Sequence, residues 1–235
     1  MIFRKCIILL FTISTPLFSQ SSWNDKDYES LTLDNFRSYK PFLQKIEVNK
    51  FDTRLAAAAV YFVTNEIRKK KRLSFIPYNK NLETAAFYHS KEMAEKDFFS
   101  HTNNKDKRRK TPNDRARMAG VANPYMAENI VEGFILDYKA NKPVYPKAKS
   151  QFSYTPDGVL LEADTYLELA DKLLVAWMNS PPHKANILSK DNIEFGCGVY
   201  PYLDEDFNDM PMVKATQLFQ QYEKVRADYA FDKLK

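Results

Sequence analysis

The chain predicts an α+β fold, a few long helices with a small set of strands, on three observations. Apolar residues recur at helical spacing in three stretches, about 55–69, 80–96 and 166–179. Two runs near the C-terminal end, 196–201 and 213–219, alternate as half-buried strands do. Without a leader, about 215 residues are left, enough for one domain with a well-buried core.

The first twenty residues are expected to be a secretory signal peptide. Arg4 and Lys5 form a positive start, Cys6–Ile13 a short apolar run, and Leu17-Phe18-Ser19-Gln20 a cleavage region. The run is shorter than the ~20 apolar residues of a spanning helix, and nothing later is apolar enough to span. A secreted or periplasmic protein with no transmembrane segment follows. Loss of Arg4 and Lys5, with no acid, lowers the formal net charge of +5 by two. So mild a charge does not suggest a dedicated nucleic-acid binder. Of two cysteines, Cys6 leaves with the leader. Cys197 then has no internal disulfide partner, and its strand-like setting predicts a small core residue.

Residues 21–50 are polar and aromatic with weak periodicity, and are expected to form an extension before the domain. The first helix, about 55–69, places Leu55, Ala58, Ala59, Phe62 and Val63 on one side; the basic run Arg68–Arg72 suits a solvated C-terminal end. The second, about 80–96, carries Leu82, Ala85, Ala86, His89 and Met93 on its stripe, so His89 is expected to be a hydrogen-bonded core histidine. Ser100-His101 follows, then a solvated basic loop with the run 105–110, KDKRRK, whose nearness to His101 also suits an anion-attracting rim. Asn113-Asp114 is expected to cap a short helix that ends at Gly120. Met126–Ile130 is an apolar-flanked segment carrying Glu128. Prolines and Gly158 break up 134–165, which is expected to be an insertion. The third long helix, with Leu167, Ala170, Leu174 and Trp177, stops at Pro181-Pro182. His183 follows, one of three histidines, and then a turn-and-cap segment, Asn186–Ser189.

Spacing alone does not bring Ser100-His101, Ala127-Glu128-Asn129 and Pro182-His183 together. In order, however, the motifs resemble the CAP superfamily, also called the SCP domain: cysteine-rich secretory proteins, antigen 5 and pathogenesis-related class 1 proteins. The resemblance runs through Asn65-Glu66-x-Arg68, Ala86-x-x-His89-Ser90-x-x-Met93-Ala94, Phe99-Ser100-His101 and Asp114-Arg115. It continues through Ala127-Glu128-Asn129-Ile130, the run 177–188 (WMNSPPHKANIL), Phe195-Gly196-Cys197-Gly198-Val199 and Gln217-Leu218-Phe219. The run 180–188 is similar to that of bacterial members. The resemblance places a domain at 51–235, with its core at about 55–222 and the insertion at about 134–165.

What the resemblance implies is an α-β-α sandwich: a small, mainly antiparallel sheet between helical layers, with a cleft. In many members two histidines and two acids line that cleft and hold a divalent cation such as zinc. Carried over residue by residue, the ligands are His101, Glu128 and His183, a plausible three-ligand set. The second acid of animal members falls at Ser180, which supplies neither negative charge nor a general base. Zinc is therefore expected to be weak or absent. The paired cysteines of eukaryotic members are missing too, so packing must carry stability.

The intact trio with the missing acid points to an exported, non-enzymatic ligand- or metal-binding module. One alternative is a zinc-dependent, peptidase-like hydrolase with Glu128 as general base. Another is a lipid- or sterol-binding protein that uses an apolar groove, and a third is a purely structural hydrogen-bonded network. A lipid, a cell-envelope component and a protein all stay open as the ligand.

Overall fold

Side-chain caps set where most of the helices begin. The computed structural model describes residues 23–221; the leader expected at 1–20, and the end of the domain after 221, lie outside the described residues. One short turn, α1 (Asp27–Ser30), precedes helix α2 (Thr53–Lys70), where Asp52 Oδ1 accepts from Leu55 N at 3.0 Å. In α3 (Lys80–Glu95) the cap is Asn79, which accepts from Asn81 N and Leu82 N. Capping boxes open α4 (Pro112–Met118), between Thr111 and Asp114, and α5 (Tyr166–Asn179), between Thr165 and Glu168. Each such cap contributes about 1 kcal/mol. The cap of α4 is thus Thr111, two residues before the position expected, and Asp114 is its partner in the first turn.

The prolines that end α5 begin α6 (Pro181–Leu188). In the first turn of a helix the missing N–H of proline costs nothing, and its fixed φ already suits the helix. A turn was expected at 186–189; the chain forms a two-turn helix because Asn186 and Arg68 hold it. Arg68 is buried, and donates to Ile187 O at 2.7 Å and Ser189 O at 2.8 Å, satisfying the last carbonyls of α6. It therefore departs from the solvated basic run expected at 68–72.

Met126–Phe134 forms strand β1. The insertion then folds a short hairpin, β2 (Tyr145–Ala148) and β3 (Gln151–Ser153), and the chain ends its described part on β4 (Asn192–Asp204) and β5 (Met210–Gln221). The main sheet has the order β1-β5-β4 and is antiparallel throughout. Its side-chain alternation separates two layers. Phe195, Cys197, Val199, Val213, Ala215 and Phe219 share one core with α2 and α5. On the other face Leu218 packs with Leu82 and Ala86 of α3 and Ala116 of α4. The result is the α-β-α sandwich.

Helix α2 is the centre of the larger core: every residue from Leu55 to Asn65 is buried. Four successive alanines, Ala56–Ala59, let its neighbours approach closely. Part of its cover comes from the segment expected to be a separate extension. Trp23, Phe36, Phe42 and Ile46 are buried in the same core, with Trp23 stacked on Phe42 at 5.5 Å and Phe36 on Phe62 at 5.7 Å. The insertion has a smaller core of its own, Leu136 and Phe152 packed with Met210 and Met212.

Gly196 and Gly198 let α3 lie directly on β4. A Cβ at Gly196 would sit 2.1 Å from Glu83 N, and one at Gly198 would sit 2.1 Å from Phe87 N. Both obstacles are helix backbone, which cannot swing aside. Gly198→Ala is expected to destabilise the fold by about 3 kcal/mol, the upper end of ordinary overpacking. Urea unfolding followed by circular dichroism measures this, and a change under 1 kcal/mol would refute the close-contact account.

Candidate functional site at the His101 cleft

The loop after α3 delivers His101. Two buried groups fix that loop: Lys214 Nζ of β5 donates to Met93 O at 3.2 Å and Phe98 O at 3.1 Å, and His89 Nε2 donates to Ser100 O at 3.1 Å. A carbonyl only accepts, so the proton of neutral His89 is on Nε2. His89 is fully buried, as its place on the α3 stripe predicts.

Glu128 projects from β1 beneath this loop with its side chain 2% exposed. Its two oxygens have different partners. Oε1 accepts from His101 Nδ1 at 2.8 Å, and Oε2 accepts from Arg115 Nη2 at 2.5 Å. An ionised carboxylate has no proton to give, so His101 carries its proton on Nδ1 and turns Nε2 away from Glu128. Burial pushes the Glu128 carboxyl up, but the His101 hydrogen bond and the Arg115 charge outweigh it and hold the pKa below the usual value.

Arg115 of α4 is itself buried and joins several pieces of the site. Besides Glu128 it donates to His101 O at 3.1 Å, Arg109 O at 3.1 Å and Lys110 O at 3.2 Å. The basic loop 105–110 is therefore anchored over the same guanidinium. Arg109 turns inward to Glu92 at 2.8 Å, while Lys107, Arg108 and Lys110 stay exposed.

His183 comes from the first turn of α6, held by a ladder of amides. Asn129 Nδ2 donates to His183 O at 3.1 Å and to Gln217 Oε1 at 3.0 Å; Gln217 Nε2 donates to Thr64 Oγ1 at 2.8 Å. Asn186 Nδ2 donates to Asn129 Oδ1 at 2.9 Å and Glu128 O at 3.2 Å. Helix α6 is thereby tied to β1, β5 and α2. The His101 and His183 rings lie with centroids 6.4 Å apart, tilted 57° to one another. Burial, and then the nearness of His101, lower the His183 pKa, which favours the neutral imidazole.

The three residues singled out in the sequence thus meet, but not as three converging ligands. Glu128 stands behind His101, with both oxygens engaged, and His183 faces the other side of the cleft. Among the described residues no three histidine, cysteine, aspartate or glutamate side chains are grouped to hold a metal ion. The three-donor set drawn from the resemblance does not fit zinc in this geometry. Ser180 is the shared cap of α5 and α6, and its side chain makes no capping bond. Arg115, Asn129, Asn186 and Gln217 lie within the motif strings, yet only the fold shows that they build the cleft. Cys197, at 2% exposure, is the inert core thiol expected, its pKa pushed up by burial.

His89 couples the site to pH. Burial lowers its pKa from 6.5 to about 4, so the folded protein keeps it neutral where an unfolded chain takes up a proton. The stability of the neutral form is fully present above pH 6.5 and falls as pH drops toward about 4, by on the order of 3 kcal/mol. His89→Gln retains a donor for Ser100 O and removes the titration. Its denaturant midpoint is expected to vary less than that of wild type across this window; equal slopes would contradict the assignment.

The profile of the cysteine-rich secretory protein family, CAP, matches residues 61–219. Among solved structures, an extracellular protein containing an SCP domain from Bacillus anthracis aligns with a TM-score of 0.50 at 21% identity, over 74% of this chain and 42% of that one. An outer surface protein from Borrelia burgdorferi aligns with a TM-score of 0.47 at 17% identity, over 76% and 98%. The chain thus spans less than half of the Bacillus anthracis protein. No curated protein matches. With the profile running from within α2 to within β5 and taking in every residue of the cleft, the chain belongs to the CAP family.

Proposed function

We propose that this CAP-domain protein is exported and works by binding a ligand at the His101–His183 cleft, without hydrolysing it. The observation that carries the reading is the engagement of Glu128. A general base must reach the proton it removes with a free oxygen, at a pKa suited to the task. Glu128 is buried, its oxygens are taken by Arg115 and His101, and its pKa is lowered. Ser180, at the place of the second acid, adds no base. What the cleft offers a ligand is two imidazoles and the polar rim around them. Export is supported by the leader-like residues 1–20 and by the extracellular setting named for the Bacillus anthracis protein.

A second reading has one observation in its favour. A carboxylate that accepts from one nitrogen of a histidine orients the other nitrogen as metal-binding sites do. Glu128 does this to His101. A zinc ion would then rest on His101 and His183 alone, well short of the roughly 10–16 kcal/mol of a closed structural site.

Two measurements on the purified protein separate these readings. Incubation with peptide and peptidoglycan substrates, with and without added zinc, is expected to give no turnover. Zinc-dependent turnover lost in Glu128→Gln would overturn the binding account. Calorimetric zinc titration is expected to show at most weak binding, reduced by His101→Ala and by His183→Ala; tight binding indifferent to both would place the metal elsewhere.

A further inference from the structure

The insertion presents a surface that the cleft does not use. From Tyr138 to Pro156 the chain has four lysines, Lys139, Lys142, Lys147 and Lys149, and no acid. All four are exposed. Among the described residues Lys139, Lys142 and Lys147 have no carboxylate partner, and Lys149 has only Asp209, at 3.8 Å. Lys142 instead lies over the Tyr154 ring, 3.9 Å from its centroid. Exposed acids flank the stretch: Asp137, paired with Lys172 at 3.1 Å, Glu162, paired with Lys45 at 3.6 Å, and Asp157 at the adjoining turn.

Apolar side chains are exposed on the same insertion. Tyr145 pairs in register with Ser153, and Ser153, itself buried, pairs with Leu160, so Tyr145 and Leu160 flank one row. Tyr145 is 44% exposed, Leu160 43% and neighbouring Val159 90%. The opposite face is anchored: Phe152 is fully buried against Met210 and Met212, and Ser150 Oγ donates to Asp209 O at 3.1 Å. The anchored insertion therefore presents exposed apolar groups together with Lys139, Lys142 and Lys147, which have no carboxylate partner among the described residues.

We infer that this face docks the protein on an anionic lipid bilayer. Lysines attract the surface charge while their methylene stems lie along it, and Tyr, Leu and Val enter the headgroup boundary. A soluble polyanion would use the lysines and have no use for Val159 and Leu160. A second protein strand is disfavoured too, because outer strand β2 carries Pro146 and Lys147, which block edge pairing.

Vesicle co-sedimentation tests the inference, with equal parts phosphatidylglycerol and phosphatidylcholine against phosphatidylcholine alone. The full chain and its variants share one N-terminus, so differences report the hairpin. Each lysine near such a surface is worth about fivefold in partitioning. Wild type is expected to bind the anionic vesicles, and Lys139→Gln/Lys142→Gln/Lys147→Gln/Lys149→Gln to reduce binding at least tenfold. Val159→Ser/Leu160→Ser should lower it severalfold. The same loss of charge elsewhere, Lys40→Gln/Lys71→Gln/Arg72→Gln/Lys190→Gln, should leave most of it. Equal loss in that control, no effect of the hairpin lysines, or binding indifferent to Val159 and Leu160 but competed by polyphosphate would each overturn the proposal. None of these outcomes bears on the His101 cleft.

Discussion

The buried ion pair between Arg115 and Glu128 is the interaction on which the cleft depends. Removing two charges from water costs several kcal/mol per ion, and a pair recovers that only with good geometry and with its remaining hydrogen-bonding capacity satisfied. Here the second carboxylate oxygen goes to His101, and the two terminal guanidinium nitrogens also donate to the carbonyls of His101, Arg109 and Lys110, so that only the buried Nε–H of Arg115 has no partner among the described residues. One pair thereby joins α4, β1 and the loop that carries His101. Losing either partner would strand a buried charge, so both ends of the loop are coupled to a single electrostatic contact.

A second set of contacts does for α6 what this pair does for the His101 loop, using neutral groups. Asn129, Asn186 and Gln217 connect α6 to β1, β5 and α2, and Arg68 closes the helix at its far end. Such a network rigidifies only when its members are satisfied, since an unpaired buried amide is costly. The glycines of β4 act on the opposite face, bringing α3 down to the sheet so that His89 and Ser90 reach their partners. Ser90 Oγ donates to Gly198 O at 3.0 Å and lies 2.9 Å from Thr216 Oγ1. Each wall of the cleft is thus held by a connected set of buried hydrogen bonds.

Much of the fold was legible in the sequence because it rests on periodicity. The stripes of α2, α3 and α5 matched their helices to within two residues at either end, and the alternation at 196–201 and 213–219 marked the inner parts of β4 and β5. Helix α6 was harder to see: Pro181 and Pro182 end one helix and start the next, and only the context tells which. Strand β1 was obscured by Glu128 and Asn129, polar residues made tolerable inside by partners remote in sequence. The packing of residues 21–50 is hard to read for a related reason, because Trp23, Phe36 and Phe42 lack a regular spacing although all three are buried. For the site, the ordered motifs named His101, Glu128 and His183. That Glu128 faces Arg115 rather than an open ligand position depends on how α4 crosses β1, which no local pattern encodes.

The central claim is that Glu128 is a structural anion that orients His101, and its protonation state tests this most directly. Carbon-detected nuclear magnetic resonance of the Glu128 carboxyl, followed from pH 7 into acid, should show it ionised throughout the usual carboxylate range, with a midpoint below 4.5 or none before the protein unfolds. A midpoint displaced upward toward neutrality would mean a carboxyl poised to exchange protons, and would contradict the account.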